Sequence, residues 1–206
     1  MHPNQIYRQT PRATAIAFAQ SIGFGTLIIN ADSGPLPSHV PFVLKGDHVE
    51  LHLVRSNPIA RAVTSATIAK LAVLGPHGYV SPDWYGADDQ VPTWNYTAVH
   101  FSGQLTPLPN DRLEDTLNSL SAEFEQRLLP KTPWTSDKMD NEARMKMMRM
   151  IQPFRLDVED VDSTFKLNQN KPESVRQSAA SQIAASDIGQ ETKQLSALMR
   201  GVQSKG

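Results

Sequence analysis

Apolar positions in the first third of the chain mark one helix and then short strands. Arg12 to Ile22 is Ala-rich, with Ile16 and Phe18 apolar and Gly23 placed where a helix end favours glycine, so a covering helix is predicted there. Gly25 to Asn30 is a short run rich in β-formers. Asp32-Ser33-Gly34-Pro35 is turn chemistry leading into Ser38 to Leu44, and the two runs predict a hairpin. Lys45-Gly46-Asp47 turns the chain into His48 to Val54, where Val49, Leu51 and Leu53 alternate with His48, Glu50 and His52. That alternation predicts a strand with one buried face. Asn57-Pro58 opens a short helix through Ile59 to Val63, with Asn as cap and Pro at the first helical position.

Further along, Ile68 to Leu74 reads as a strand, and Thr93 to Leu105 as a long one with Trp94 and Tyr96 on one face and Val99 and Phe101 on the other. The long strand is expected to be buried on both sides. Asp111 and Glu114 have capping-box spacing, and Leu113, Leu117, Leu120, Phe124 and Leu128 keep helical spacing as far as Pro130. A second helix, from about Lys138 to Met150, carries five of the seven Met and reads as packing or interface filler. Phe154, Leu156 and Val158 alternate with Arg155, Asp157 and Glu159 in a last strand. From Glu173 the chain becomes rich in Ser, Ala and Gln, which predicts a helical tail with few anchors. The expected organisation is a mainly β, α+β domain over residues 1–170, with helices inserted near 111–150, followed by a helical tail over 171–206.

Composition narrows the function classes. With 206 residues, 39% of them hydrophobic, the chain can bury a full core. A formal net charge of -1 gives no general positive field for nucleic acid or an anionic membrane. The absence of Cys excludes disulfides, thiolate metal sites and cysteine nucleophiles. No run approaches the ~20 apolar residues of a membrane span, so a cytoplasmic, membrane-free protein is expected.

Candidate chemistry concentrates in two aromatic, proline-punctuated blocks, Gly75 to Tyr85 and Val91 to Tyr96, which hold two of the three Trp and three of the four Tyr. Such a group suits the wall of a planar ligand site, or a core. Upstream, Arg55-Ser56-Asn57-Pro58 delivers a guanidinium, a hydroxyl and an amide to a helix start, which suits a phosphate or, more plainly, an Asn cap beside a surface Arg. His48 and His52 are about 13 Å apart along a strand, too far to share a metal, and no metal site is expected. Gly23-Phe24-Gly25 follows a helix and lacks the third glycine of a dinucleotide loop, and no nucleophile elbow or His-Glu-x-x-His pair is present. No residue stands out as a catalytic acid or base.

Four segments together resemble a known family: His52 to Pro58, Gly75 to Tyr85, Val91 to His100, and Lys166-Leu167-Asn168-Gln169-Asn170. Their content and order are similar to the FMN-binding negative transcriptional regulators of PaiB type. The resemblance implies an FMN-binding split β-barrel with added helices, a homodimer with ligand sites at the subunit interface, and a role in gene regulation. It implies that Arg55, Ser56 and Asn57 hold the FMN phosphate, with Ser56 standing where the family has Ala. Tyr79, Ser81, Trp84 and Tyr85, together with Thr93, Trp94 and Asn95, would line or brace the flavin ring pocket. Lys166, Gln169 and Asn170 match a third motif, in which Asn168 and Lys171 replace Ser and Arg, and His39 matches a family His. Lys171 keeps the charge of the Arg but not its planar fork. A flavin-dependent oxidoreductase is the other function class open to such a barrel. Direct DNA binding finds no support in the sequence, which has no basic recognition helix and no Lys/Arg cluster.

Overall fold

The computed structural model describes residues 1–202; the last four residues of the expected tail lie outside the described residues. Among the described residues there are eight strands: β1 (Phe24–Ala31), β2 (Gly34–Pro41), β3 (Val43–Lys45), β4 (His48–Val54), β5 (Thr67–Val80), β6 (Thr93–Pro107), β7 (Ile151–Lys166) and β8 (Gly189–Gln190). They form one sheet in the order β2-β1-β5-β6-β7-β4-β3, with β8 added to β5. The helices are α1 (Arg12–Ile22), α2 (Pro58–Ala62), α3 (Leu113–Gln126), α4 (Asn141–Met148), α5 (Glu173–Ile183) and α6 (Thr192–Arg200). No helix among the described residues is long and apolar enough to cross a membrane. The chain divides into two compact units, one made of Met1–Ala19, Val73–Val99 and the residues from Asp162 onward, the other of Gln20–Ala72 and His100–Val161.

In the second unit the expected hairpin pairs Phe24 with Pro41 through to Ala31 with Gly34. The strand expected over Ser38 to Leu44 is interrupted at Phe42: its N–H still donates to the Gly23 carbonyl at 2.9 Å, in register with the hairpin, but Gly23 has a left-handed φ of 67° and lies outside β1, so the pairing stops there. Phe42 is buried against Phe101, with ring centroids 6.2 Å apart. β4 pairs with β3 and, from His48↔Asp157 to Val54↔Ile151, with β7. Its apolar face is buried as the alternation requires. The opposite face is withdrawn from water as well, because α3 packs over β4. Glu50 is only 2% exposed and is held by Lys45 at 2.8 Å, with Arg112 and His48 further out. Burial alone would raise its carboxyl, but the Lys45 hydrogen bond and the surrounding positive charges bring it below the ordinary glutamate value.

His52 lies on the same face and has no such compensation. Burial lowers its imidazole below the ordinary histidine value, and its Nδ1 has no hydrogen-bond partner. The folded state therefore favours the neutral ring. That contribution is complete above the unfolded pKa of about 6.5 and is lost as pH falls from there through the lowered folded value. Denaturation midpoints should decline from about pH 7 to about pH 5, and His52→Gln should flatten part of that decline. Identical pH profiles for the two proteins would exclude His52 as a source of the slope.

Two expectations for helix ends and strand faces are corrected here. Asp111 does not cap α3: residues 110–112 form a 3-10 turn, Arg112 occupies the cap position without a side-chain bond, and Glu114 is drawn into an ion pair with Arg144. In β6, Asn95, Thr97, Val99 and Phe101 form the buried row, whereas Trp94 is 42% exposed, so this end of the strand is not covered on both faces.

In the first unit, β5 continues past its expected end through Gly75-Pro76 to Val80, so the first aromatic block begins as strand and turns only at Pro82–Tyr85. Gly75 permits this: a Cβ there would lie 2.4 Å from Phe18 Cζ and 2.5 Å from Thr97 Oγ1. Phe18 meets Phe165 edge-on, with centroids 5.0 Å apart. The tail finds its packing in this same unit, where Ala179, Ala180, Ile183, Leu195 and Met199 are buried and α5 lies against α6. It is also not purely helical, since β8 pairs Gln190 with His77 and Gly189 with Gly78. Arg176 of α5, 2% exposed, donates from Nε to the Met199 carbonyl at 3.0 Å and from Nη2 to that of Val202 at 2.8 Å. The Met199 carbonyl belongs to the last turn of α6 and Val202 follows the helix, so the guanidinium satisfies one orphan acceptor and meets the negative end of the dipole.

Candidate functional site

The first unit presents a row of rings. His77 and Tyr79 share one face of β5 because they are two residues apart on a strand. The His77 ring is 6.1 Å from that of Trp94 at a tilt of 31°. Tyr79 lies between two indoles, 6.4 Å from Trp94 and 6.5 Å from Trp84, edge-on to both. Ser81 precedes the 3-10 turn that carries Trp84, and its carbonyl accepts the Trp84 N–H at 3.2 Å. His77 was not singled out for this role in the sequence; its spacing of two from Tyr79 was the available signal.

Beside this row, Lys166 Nζ donates to Thr93 Oγ1, and burial holds the ammonium below the ordinary lysine range. Lys171 lies 5.3 Å from the centre of the Tyr85 ring and donates to Gln90 Oε1. The buried Tyr85 hydroxyl donates to Asn168 Oδ1 at 3.4 Å, and Asn168 takes a left-handed φ of 61°. Its Nδ2 is buried without a partner.

Two of the residues expected at the ligand are engaged in bracing the chain. Gln169 accepts the Leu167 N–H at 2.8 Å and donates to the carbonyls of Phe165 at 2.6 Å and Ile6 at 3.3 Å. Asn95 is fully buried and its Nδ2 donates to Met199 Sδ at 3.5 Å, on the face of β6 opposite Trp94.

The second unit contains the anion-type corner. Arg55 is exposed just beyond β4, and its guanidinium donates to the Arg149 carbonyl at 3.0 Å, Gln152 Oε1 at 2.6 Å and Asn110 Oδ1 at 2.7 Å. All three acceptors are neutral. Among the described residues Arg55 makes no ion pair, so its charge is oriented yet uncompensated. Asn57 caps α2 by accepting the Ile59 N–H at 2.9 Å and donates from Nδ2 to Ser38 Oγ at 2.9 Å. Ser56 is exposed between them. His39 is the neighbour of Ser38 on β2 and therefore faces the other way; its Nδ1 is 3.0 Å from Thr26 Oγ1 and its ring stacks at 6.4 Å from Phe24. The corner thus brings together Arg55, Asn57 and Ser38 with Asn110 and Gln152, and leaves His39 outside it. Asn110 and Gln152 carry no local motif that would have marked them.

Taken by itself, each unit offers one kind of recognition. An oriented guanidinium without a carboxylate partner suits a phosphate, for which its unused N–H groups remain donors. Partly exposed Trp and Tyr rings suit a tricyclic ring.

Comparison with known proteins agrees with this chemistry. Residues 1–160 match the family described as "Putative FMN-binding domain". The chain is 30% identical over 186 residues to the protease synthase and sporulation protein PAI 2 of Bacillus subtilis, spanning 88% of each protein. Among solved structures, it is similar to the FAD and heme binding protein from Mycobacterium smegmatis, with a TM-score of 0.58 and 16% identity over 78% of this chain and 73% of that one. It is also similar to the flavocytochrome Anf3 from Azotobacter vinelandii, with a TM-score of 0.56 and 11% identity over 80% and 72% of the two chains. At such identities the structural likenesses establish the fold, a split β-barrel with added helices. The family match and the PAI 2 likeness go further: the chain belongs to the FMN-binding family of PaiB type.

Proposed function

We propose that the protein is a homodimer that binds FMN non-covalently at the subunit interface, with the phosphate taken by Arg55, Ser56 and Asn57. The observation that carries this reading is the Arg55 guanidinium, held by three neutral acceptors and by no carboxylate among the described residues. A phosphate dianion would complete the charge balance that the protein leaves open. Tyr79, Trp84 and Trp94 supply ring surface for the isoalloxazine. Ser81 and Thr93 hold the backbone and the Lys166 ammonium beside that surface. Asn95 and Gln169 act from behind, the first by joining β6 to α6 and the second by fixing the segment that carries Lys166.

Bound FMN would supply electron-transfer chemistry, while the chain would bind it, orient it and shield one ring face. A second reading, a flavin-dependent oxidoreductase, draws on Lys166, whose lowered pKa eases release of a proton near the aromatic row. Titration of the purified protein into FMN tests the binding itself. Flavin fluorescence should be quenched saturably at micromolar protein, and unchanged fluorescence would overturn the proposal.

A further inference from the structure

The methionine-rich helix leaves a cavity that the flavin chemistry does not use. α4 has no buried residue, which is unusual for a helix lying beside another. Between it and α3 is a space of about 180 Å³, walled by Leu117, Met139, Met147, Met148, Ile151 and the Trp134 indole. Polar struts keep the walls apart. Arg144 of α4 pairs with Glu114 of α3, and Ser136 Oγ donates to Asn118 Oδ1 at 3.2 Å. The segment carrying Trp134 is fixed through its own N–H, which donates to Glu125 Oε2 at 2.8 Å. Trp134, Asn118 and Ser136 also line a second space of about 420 Å³.

We propose that the α3–α4 cavity is a binding site for a small, uncharged aromatic molecule of one or two fused rings. Size, polarity and charge point the same way. An apolar cavity of about 150 Å³ accommodates a benzene-sized ligand, so this one is large enough for such a ring system. The only charged residues on its wall are Glu114 and Arg144, which neutralise each other and leave nothing to recognise an ion. Methionine thioethers are polarisable and flexible, so the half-buried Met139 and Met148 can close on a ring face or edge without backbone movement, while Met147, which also borders the space, is exposed. The cavity lies wholly within the second unit and shares no wall with the Arg55 corner except through the chain that joins Met148 to Arg149 and Ile151 to Gln152. Occupancy there can therefore be read separately from flavin binding.

Indole is a suitable probe, used with full-length protein labelled with ¹³C in its methionine methyl groups. The half-buried Met139 and Met148 signals should move saturably, with a Kd on the order of 0.1–1 mM for so small a ligand. Met199, fully buried in the first unit, should not move. Met148→Trp fills the space from a helix that has no buried residue, so the fold should tolerate it, and it should weaken indole binding at least about tenfold. Three results would each overturn the proposal: no saturable shift, equal drift of the exposed Met145 and Met150, or unchanged indole binding by Met148→Trp.

Discussion

Replacing Arg55 with Ala should lower FMN affinity about tenfold to a hundredfold, which corresponds to about 1.5–3 kcal/mol for a lost charge-assisted hydrogen bond. Riboflavin, which lacks the phosphate, should lose less than about twofold. The asymmetry is the informative quantity, since damage to the aromatic row would weaken both ligands alike. Arg55 also ties Asn110, Gln152 and the Arg149 carbonyl together, so some loss of stability accompanies the substitution. Because the side chain is exposed, that loss should stay near 1 kcal/mol, and far-UV circular dichroism should confirm a folded variant. Arg55→Lys should fall between the two, keeping the charge without the fork. Equal losses for FMN and riboflavin would remove the phosphate role from Arg55.

The largest stability effect is expected at Gly103 of β6. A Cβ there would lie 1.8 Å from the Asp157 carbonyl oxygen and 2.9 Å from its carbon. Both are backbone atoms, so no side-chain rotation can relieve the overlap. Gly103→Ala should cost more than about 4 kcal/mol, enough to unfold a protein of ordinary stability. Gly201→Ala is the control, because its nearest neighbour would be 3.5 Å away, an ordinary contact. Thermal melts that place Gly103→Ala within a few degrees of the parent would show that β6 and β7 do not approach this closely.

The strands were legible where a single face decides the residue types. Val49, Leu51 and Leu53 alternate without exception, and β4 has the span that this alternation predicts. Legibility failed where a distant group competes for a residue. Asp111 and Glu114 have capping spacing, yet Arg144 offers Glu114 a full charge, which outweighs a backbone N–H. The break at Phe42 coincides with the left-handed Gly23 that faces it across the hairpin, and no pattern within Ser38 to Leu44 encodes it.

The candidate site divides in the same way. Arg55, Asn57 and the aromatic blocks were visible because motif and chemistry coincide in short segments. Their supports were not: Asn110 and Gln152 meet Arg55 across 55 and 97 positions, and Asn95 meets Met199 across 104. The methionine helix reads as packing or interface filler, yet α4 buries none of its residues, and the Arg144–Glu114 and Ser136–Asn118 contacts beside the space join residues too far apart for periodicity to express.

The Arg176 contact with the end of α6 bears on the order in which the protein is made. The first unit combines Met1–Ala19 with Val73–Val99 and with the residues from Asp162 onward, among them the Met199 and Val202 carbonyls that Arg176 binds. During synthesis, its N-terminal segment therefore emerges long before the residues that will bury it. The second unit, by contrast, has all of its parts once Val161 has left the ribosome. At ordinary translation rates of about 5–20 residues per second, the remaining stretch takes a few seconds. For that interval the apolar side of α1 awaits Phe165, and Arg176 in turn awaits the carbonyls of Met199 and Val202.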